Sequence, residues 1–187
     1  MITANLPRRR FLQVGAAATA AALLPGRTVW GQDKRTPYGG IVIGLQSYSL
    51  RGFPVEKAIQ YAADLGFKSI EFYSGQYPLN STPEQISQMN AKLSSLGLKC
   101  FAHGVNGFGK DHEANRKIFQ FAKAAGLKAI TADPHPDSFD SLDKLVAEYN
   151  IRIAIHNHGP THRYNKVVDV ISAVKQHDPR IGACADL

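Results

Sequence analysis

Four times along this chain a helix-like stretch ends in Gly or Asn and passes at once into a short apolar strand pattern. Leu65-Gly66-Phe67-Lys68-Ser69-Ile70-Glu71, Leu96-Gly97-Leu98-Lys99-Cys100-Phe101-Ala102 and Ala125-Gly126-Leu127-Lys128-Ala129-Ile130-Thr131 share the form. Asn150-Ile151-Arg152-Ile153-Ala154-Ile155 repeats it with Asn in place of Gly. The Gly/Asn positions are 31, 29 and 24 residues apart, each interval long enough for one strand and one crossover helix. Gly or Asn there suits the left-handed residue that closes a helix. A chain built this way is an α/β array with parallel strands.

Periodicity predicts strands over 41–47, 68–73, 98–103, 127–132, 151–157 and 181–186, and helices over 55–65, 83–96, 113–125, 138–149 and 166–177. Thr82-Pro83-Glu84-Gln85 is a helix start, with a capping hydroxyl and proline at the first helical position. Six strands with five helices between them fit either a doubly wound sheet or part of an eight-stranded barrel. The polar residues discriminate. In the fifth strand Ile151, Ile153 and Ile155 fall on one face, and Arg152, Ala154, His156 and His158 on the other. The same alternation sets Glu71 opposite Ile70 and Phe72, His103 opposite Ala102, and Asp186 opposite Ala185. Every strand then ends in an inward polar residue: Gln46, Glu71, His103, Asp133, His156 with His158, and Asp186. A dinucleotide-binding sheet needs a G-x-G-x-x-G turn after its first strand, and Gln46-Ser47-Tyr48-Ser49-Leu50-Arg51-Gly52 has none. The pattern favours a (β/α)8 TIM barrel with about six of its eight strands present, chemistry being expected at the C-terminal strand ends.

The N-terminal segment stands apart. Pro7-Arg8-Arg9-Arg10-Phe11-Leu12-Gln13 precedes a weakly apolar run over 14–24, and this resembles a twin-arginine export signal. Eleven residues are too few to span a membrane, which takes about 20; the competing interpretation is a basic amphipathic surface helix. The small residues near Val29-Trp30-Gly31 suit a cleavage site, giving a signal over 1–31, a linker over 32–40 and the barrel over 41–187. The expected location is periplasmic or secreted, with the twin-arginine translocase as the export partner and no stable membrane span. Such export carries folded proteins, often already loaded with a cofactor.

The chain carries 22 basic and 15 acidic residues, a net charge of +7. Arg8, Arg9, Arg10 and Arg27 lie in the export segment; without them 18 basic residues face 15 acidic ones, or +3. That balance gives no electrostatic case for nucleic acid. Cys100 and Cys184 fall on non-adjacent strands, beyond disulfide reach, and are expected as packing thiols.

The stretch Ala154-Ile155-His156-Asn157-His158-Gly159-Pro160, followed by a helix and Ile181-Gly182-Ala183-Cys184-Ala185-Asp186-Leu187, resembles the sugar phosphate isomerase/epimerase family of xylose isomerase-like TIM barrels. The resemblance implies a divalent metal at the barrel mouth, Mn2+ above all, with Zn2+, Co2+ or Fe2+ as alternatives. In that family its ligands are an acidic residue ending strand five, an Asp ending strand six, a His from strand seven and a Glu from strand eight. His156, in place of the acidic residue, and Asp186 take the first two positions. The other two would fall beyond Leu187, so a C-terminally truncated member is expected. Imidazole and carboxylate donors suit such metals.

The implied chemistry is sugar isomerisation or epimerisation: a base removes the proton beside a carbonyl and the enediolate is stabilised. A lyase acting on 3-keto-sugars would use the same step. His158 and Glu71 are the candidate catalytic bases, and Gln46, His103 and Asn157 the candidate substrate-binding residues of a carbohydrate site. Tyr48, Phe72 and Tyr73 either stack on sugar or pack. Two other classes stay open: a non-catalytic sugar-binding or inactive truncated barrel, and an abasic-site endonuclease-like metal hydrolase, which export and the small net charge disfavour.

Overall fold

The computed structural model describes residues 41–186. Six parallel strands lie side by side in chain order: β1 (Gly44–Gln46), β2 (Ser69–Phe72), β3 (Lys99–Phe108), β4 (Ala129–Pro134), β5 (Arg152–His156) and β6 (Ile181–Cys184). Between them run α1 (Val55–Asp64), α2 (Pro83–Ser95), α3 (His112–Ala124), α4 (Phe139–Tyr149) and α5 (Val167–Val174). An unbroken sequential order of parallel strands is the arrangement of a barrel wall. A doubly wound sheet would reverse its strand order at a switch point.

Each repeat junction turns as its sequence requires. Gly66, Gly97 and Gly126 have φ of 84°, 68° and 75°, and Asn150 takes the same left-handed region at φ 52°. There the chain leaves a helix and enters the next strand. Thr82 accepts from the Gln85 amide while the Gln85 side chain accepts from the Thr82 amide, the reciprocal cap that fixes the start of α2. Asp111 caps α3 by accepting from the amides of Glu113 and Ala114.

The core lies between the strands' outer face and the helices. Ile70 and Phe72 of β2, Ile130 and Ala132 of β4 and Ile153 and Ile155 of β5 are buried there. They meet Ile59 and Ala62 of α1, Leu93 of α2, Phe119 and Ala122 of α3, and Leu142, Leu145 and Val146 of α4. Spacings of three and four residues put these on one stripe of each helix. The barrel's inner face is therefore left to the alternate strand residues, which include the polar ones.

Several boundaries differ from expectation. β1 is confined to Gly44–Gln46 and is followed by a 3-10 turn over Ser47–Leu50. β3 runs five residues past His103, to Phe108, because it bulges instead of ending at the glycines. β6 stops at Cys184, so Asp186 lies just after the strand. α5 ends at Val174 instead of His177. Cys100 and Cys184 are both unpaired thiols, and burial pushes Cys100 up to about 12, as a packing thiol requires. None of the described helices is long and apolar enough to cross a membrane. The expected export signal and the linker lie outside the described residues.

Candidate active site at the strand ends

The C-terminal ends of the strands surround a cleft of about 640 Å3, lined by Gln46, Glu71, Thr131, His156, His158 and Asp186, with Tyr48 and Tyr73 along one wall. That volume suits a small polar ligand. Strand alternation brings the group together: Gln46 is in register with Glu71, Thr131 with Ala154, and His156 with Cys184. Five of the seven expected site residues, Gln46, Glu71, His156, His158 and Asp186, line this one cleft.

Glu71 is half-buried and accepts a hydrogen bond from the Thr131 hydroxyl. Burial raises its pKa above the ordinary carboxylate value, while the Thr131 hydrogen bond and the His156 charge pull it back. Such a carboxyl is a stronger base than an exposed one. His156 Nε2 stands 3.5 Å from Asp186 Oδ2, and its Nδ1 is buried with no protein partner. The His156 ring meets His158 edge-on at 4.5 Å, and His158 lies 4.5 Å from His162. Burial lowers the pKa of His158, and its neighbours His156 and His162 lower it further against the opposing pull of Asp133 and Asp186.

Two expected substrate-binding residues have their polar groups committed elsewhere. The Asn157 side chain donates to the Asp186 carbonyl at 2.8 Å and accepts from the Asp186 amide at 2.9 Å. It fixes the chain after β6, and with it the Asp186 carboxylate. Gln46 lines the cleft, but its Nε2 donates to the Gly104 carbonyl at 3.3 Å and its Oε1 accepts from the Tyr48 amide. It thereby holds Tyr48, which stands edge-on to Tyr73 at 5.3 Å with the Arg51 guanidinium over its ring.

His103 does not join the site. It is 1% exposed in the core, with Nε2 bonded to the Tyr77 carbonyl at 2.8 Å and Nδ1 to Asn106 at 3.1 Å. Its ring packs against Phe121 and Tyr77. The cause is a one-residue irregularity: Ile70 pairs with Cys100 but Glu71 with Ala102, so Phe101 is extra and the residues that follow it change face, up to a second irregularity between His103 and Asn106 that shifts the register against β4 again. Simple alternation points His103 inward; the bulge turns it outward and directs Ala102 and Gly104 inward. Burial depresses its pKa and keeps it neutral. Phe72 is likewise fully buried in the core. Asp133, inside β4, is 3.4 Å from the Arg163 guanidinium.

Thr131 and His162 were not anticipated. Thr131 is two residues before Asp133 on the same strand face, so alternation contained it. His162 follows Gly159-Pro160 in an irregular loop, where no period predicts a neighbour.

The donor set accommodates part of a metal site. An imidazole and a carboxylate converge at His156 and Asp186, and an orphaned buried ring nitrogen calls for some partner. Two donors do not close a coordination sphere, and among the described residues no group of three or more His, Cys, Asp or Glu could hold a metal ion.

The sequence matches no family model and no curated protein. The structure does have neighbours. A xylose isomerase domain containing protein from Salmonella typhimurium superposes with a TM-score of 0.60 at 14% identity, over 71% of this chain and 56% of that one. The fold is that of the xylose isomerase-like barrels. D-Psicose 3-epimerase from Clostridium cellulolyticum superposes with a TM-score of 0.58 at 13% identity, over 74% of this chain and 61% of the epimerase. An uncharacterized protein from Parabacteroides distasonis gives a TM-score of 0.65 at 23% identity, over 76% and 61%. The chain thus spans about three fifths of the length of these structures, and its cleft lies at the mouth end of the barrel wall.

Proposed function

We propose that the chain is part of an exported sugar isomerase or epimerase that removes a proton from the carbon beside a carbonyl, with Glu71 as the base. The observation that carries this is a half-buried carboxyl with a raised pKa at the mouth of a barrel whose structural neighbours include sugar epimerases. Glu71 takes the proton from one face; delivery of a proton to the opposite face by a second group on the other side of the sugar gives epimerisation, and return by Glu71 itself to the neighbouring carbon gives isomerisation. The same abstraction beside a 3-keto group would serve elimination. His158, neutral and at the cleft, is the second group able to carry the proton. Tyr48 and Tyr73 offer the aromatic wall on which a sugar face stacks. Asn157 orients Asp186, and Gln46 orients Tyr48.

His156 and Asp186, with donors from outside the described residues, would hold a divalent metal, for which Mn2+ is the first choice. When bound, it supplies Lewis-acid stabilisation of the negative charge that develops on the carbonyl oxygen. The arginine motif Arg8-Arg9-Arg10-Phe11-Leu12 supports export through the twin-arginine pathway, with residues 1–31 as the signal. Replacing all three arginines by lysine should leave the protein in the cytoplasm.

The deciding experiment is solvent exchange. The protein is incubated with Mn2+ and a panel of ketoses and aldoses in D2O, and loss of the carbon-bound proton is followed by 1H NMR. Exchange that falls about 10²–10⁴-fold in Glu71→Gln supports the proposal. Sugar binding without exchange on any substrate would favour a non-catalytic sugar-binding barrel, and tight salt-dependent DNA binding would favour the endonuclease alternative.

A further inference from the structure

The geometry points to Thr131 as a positioning residue that ties up one oxygen of the Glu71 carboxylate, Oε1, and leaves Oε2 to face the cleft. We draw this from an interaction that reaches across a strand. Glu71 is on β2 and Thr131 on β4, with β3 between them, yet the Thr131 hydroxyl donates to Glu71 Oε1. Thr131 is 5% exposed, so its hydroxyl has left water and needs a partner.

What lies beneath the bridge explains how it spans β3. The intervening residue is Gly104, where a Cβ would stand 2.3 Å from the Thr131 carbonyl oxygen and 2.6 Å from the Thr131 Cβ. Only glycine lets β4 approach so closely. A second bridge crosses the neighbouring strand in the same way, from Gln46 on β1 to the Gly104 carbonyl on β3. Side chains from alternate strands meeting in one layer are the packing mode of a barrel interior. At this layer it is polar and built around a carboxylate.

A buried β4 position would ordinarily take valine, which has the shape of threonine without the hydroxyl. The hydroxyl adds a donor aimed at Glu71, and a donor favours the ionised carboxylate. The other titratable groups that face Glu71 are His156 from β5, whose charge also favours ionisation, and Cys100 and Cys184 from β3 and β6, whose thiols Glu71 itself helps keep protonated. Thr131 therefore sets both the direction of the base and the ease with which it ionises.

The catalytic part of this inference rests on the proposed function; the hydrogen-bonding part does not. The test is a pH titration of the Glu71 carboxyl by 13C NMR in protein labelled at the glutamate side-chain carboxyl carbon, with the resonance assigned by its loss in Glu71→Gln. The titration midpoint should move upward in Thr131→Val and stay at the wild-type position in Thr131→Ser, which keeps the donor. In the D2O exchange assay Thr131→Val should lower kcat/KM about tenfold or more and shift its acidic limb upward, with Thr131→Ser restoring both. A midpoint unmoved in a folded Thr131→Val, or moved equally in Thr131→Ser, overturns the assignment whatever the turnover. A midpoint that moves while the wild type catalyses no exchange overturns only the catalytic role of Glu71.

Discussion

Glu71 is a carboxyl that the fold makes reluctant to ionise, and this has a consequence for stability as well as chemistry. Its folded-state pKa is raised above the ordinary value of a glutamate carboxyl, mainly by burial. Stability from the protonated form is fully present below the unfolded-state pKa and is lost as pH rises through the folded-state pKa. Glu71→Gln keeps the shape and removes the charge. Thermal unfolding across this range should show the variant equal to wild type at acidic pH and more stable toward neutrality, although turnover is lost. A variant less stable at neutral pH would mean that the Thr131 hydrogen bond and the His156 charge outweigh the burial. His156 makes the opposite point about legibility: its place at a strand end is plain from the sequence, but its orphaned Nδ1 and the 3.5 Å approach to Asp186 follow from how β5 and β6 lie together.

At the scale of one strand, β3 shows how a single inserted residue reassigns a face. The alternation that correctly directs Gln46, Glu71 and His156 inward misdirects His103, because Phe101 has no partner in the register between β2 and β3. Nothing in Lys99-Cys100-Phe101-Ala102-His103 marks a bulge; it arises when two strands of fixed twist are brought into contact. His103→Ala should therefore act on folding. It removes a buried ring from between Tyr77 and Phe121 and leaves the Tyr77 carbonyl without its partner, while Asn106 Nδ2 loses the ring nitrogen but keeps the backbone carbonyl of residue 103. Denaturant unfolding should show a loss of about 2–5 kcal/mol, with KM for any turned-over sugar unchanged in the fraction that remains folded. A raised KM at unchanged stability would return His103 to the substrate. The helix ends behave differently: Gly66, Gly97, Gly126 and Asn150 adopt the left-handed conformation their residue types favour, since that preference is local.

Across the whole described molecule, six strands curve with helices on their outer side and polar residues at one end of their inner side. The described residues contribute two donors that converge, His156 and Asp186, and leave the metal question to a binding measurement. Calorimetric titration with Mn2+ should show His156→Ala and Asp186→Ala each lowering affinity at least about tenfold, with Asn157→Ala weakening it less because it frees only the backbone that carries Asp186. Equal Mn2+ binding by wild type and both ligand variants would remove these residues from the metal site.

The sequence by itself determined the parallel βα order, the positions of the turns and the cluster of polar residues at strand ends, because each depends on local periodicity and on the backbone preferences of Gly and Asn. Only the tertiary structure decided which polar residues face each other. The bulge that buries His103, the Thr131 to Glu71 bridge over Gly104, the use of Asn157 to hold Asp186 and the approach of His162 to His158 all depend on register and distance between segments far apart in the chain. A pattern read along one strand carries no information about the strand beside it until the two are paired.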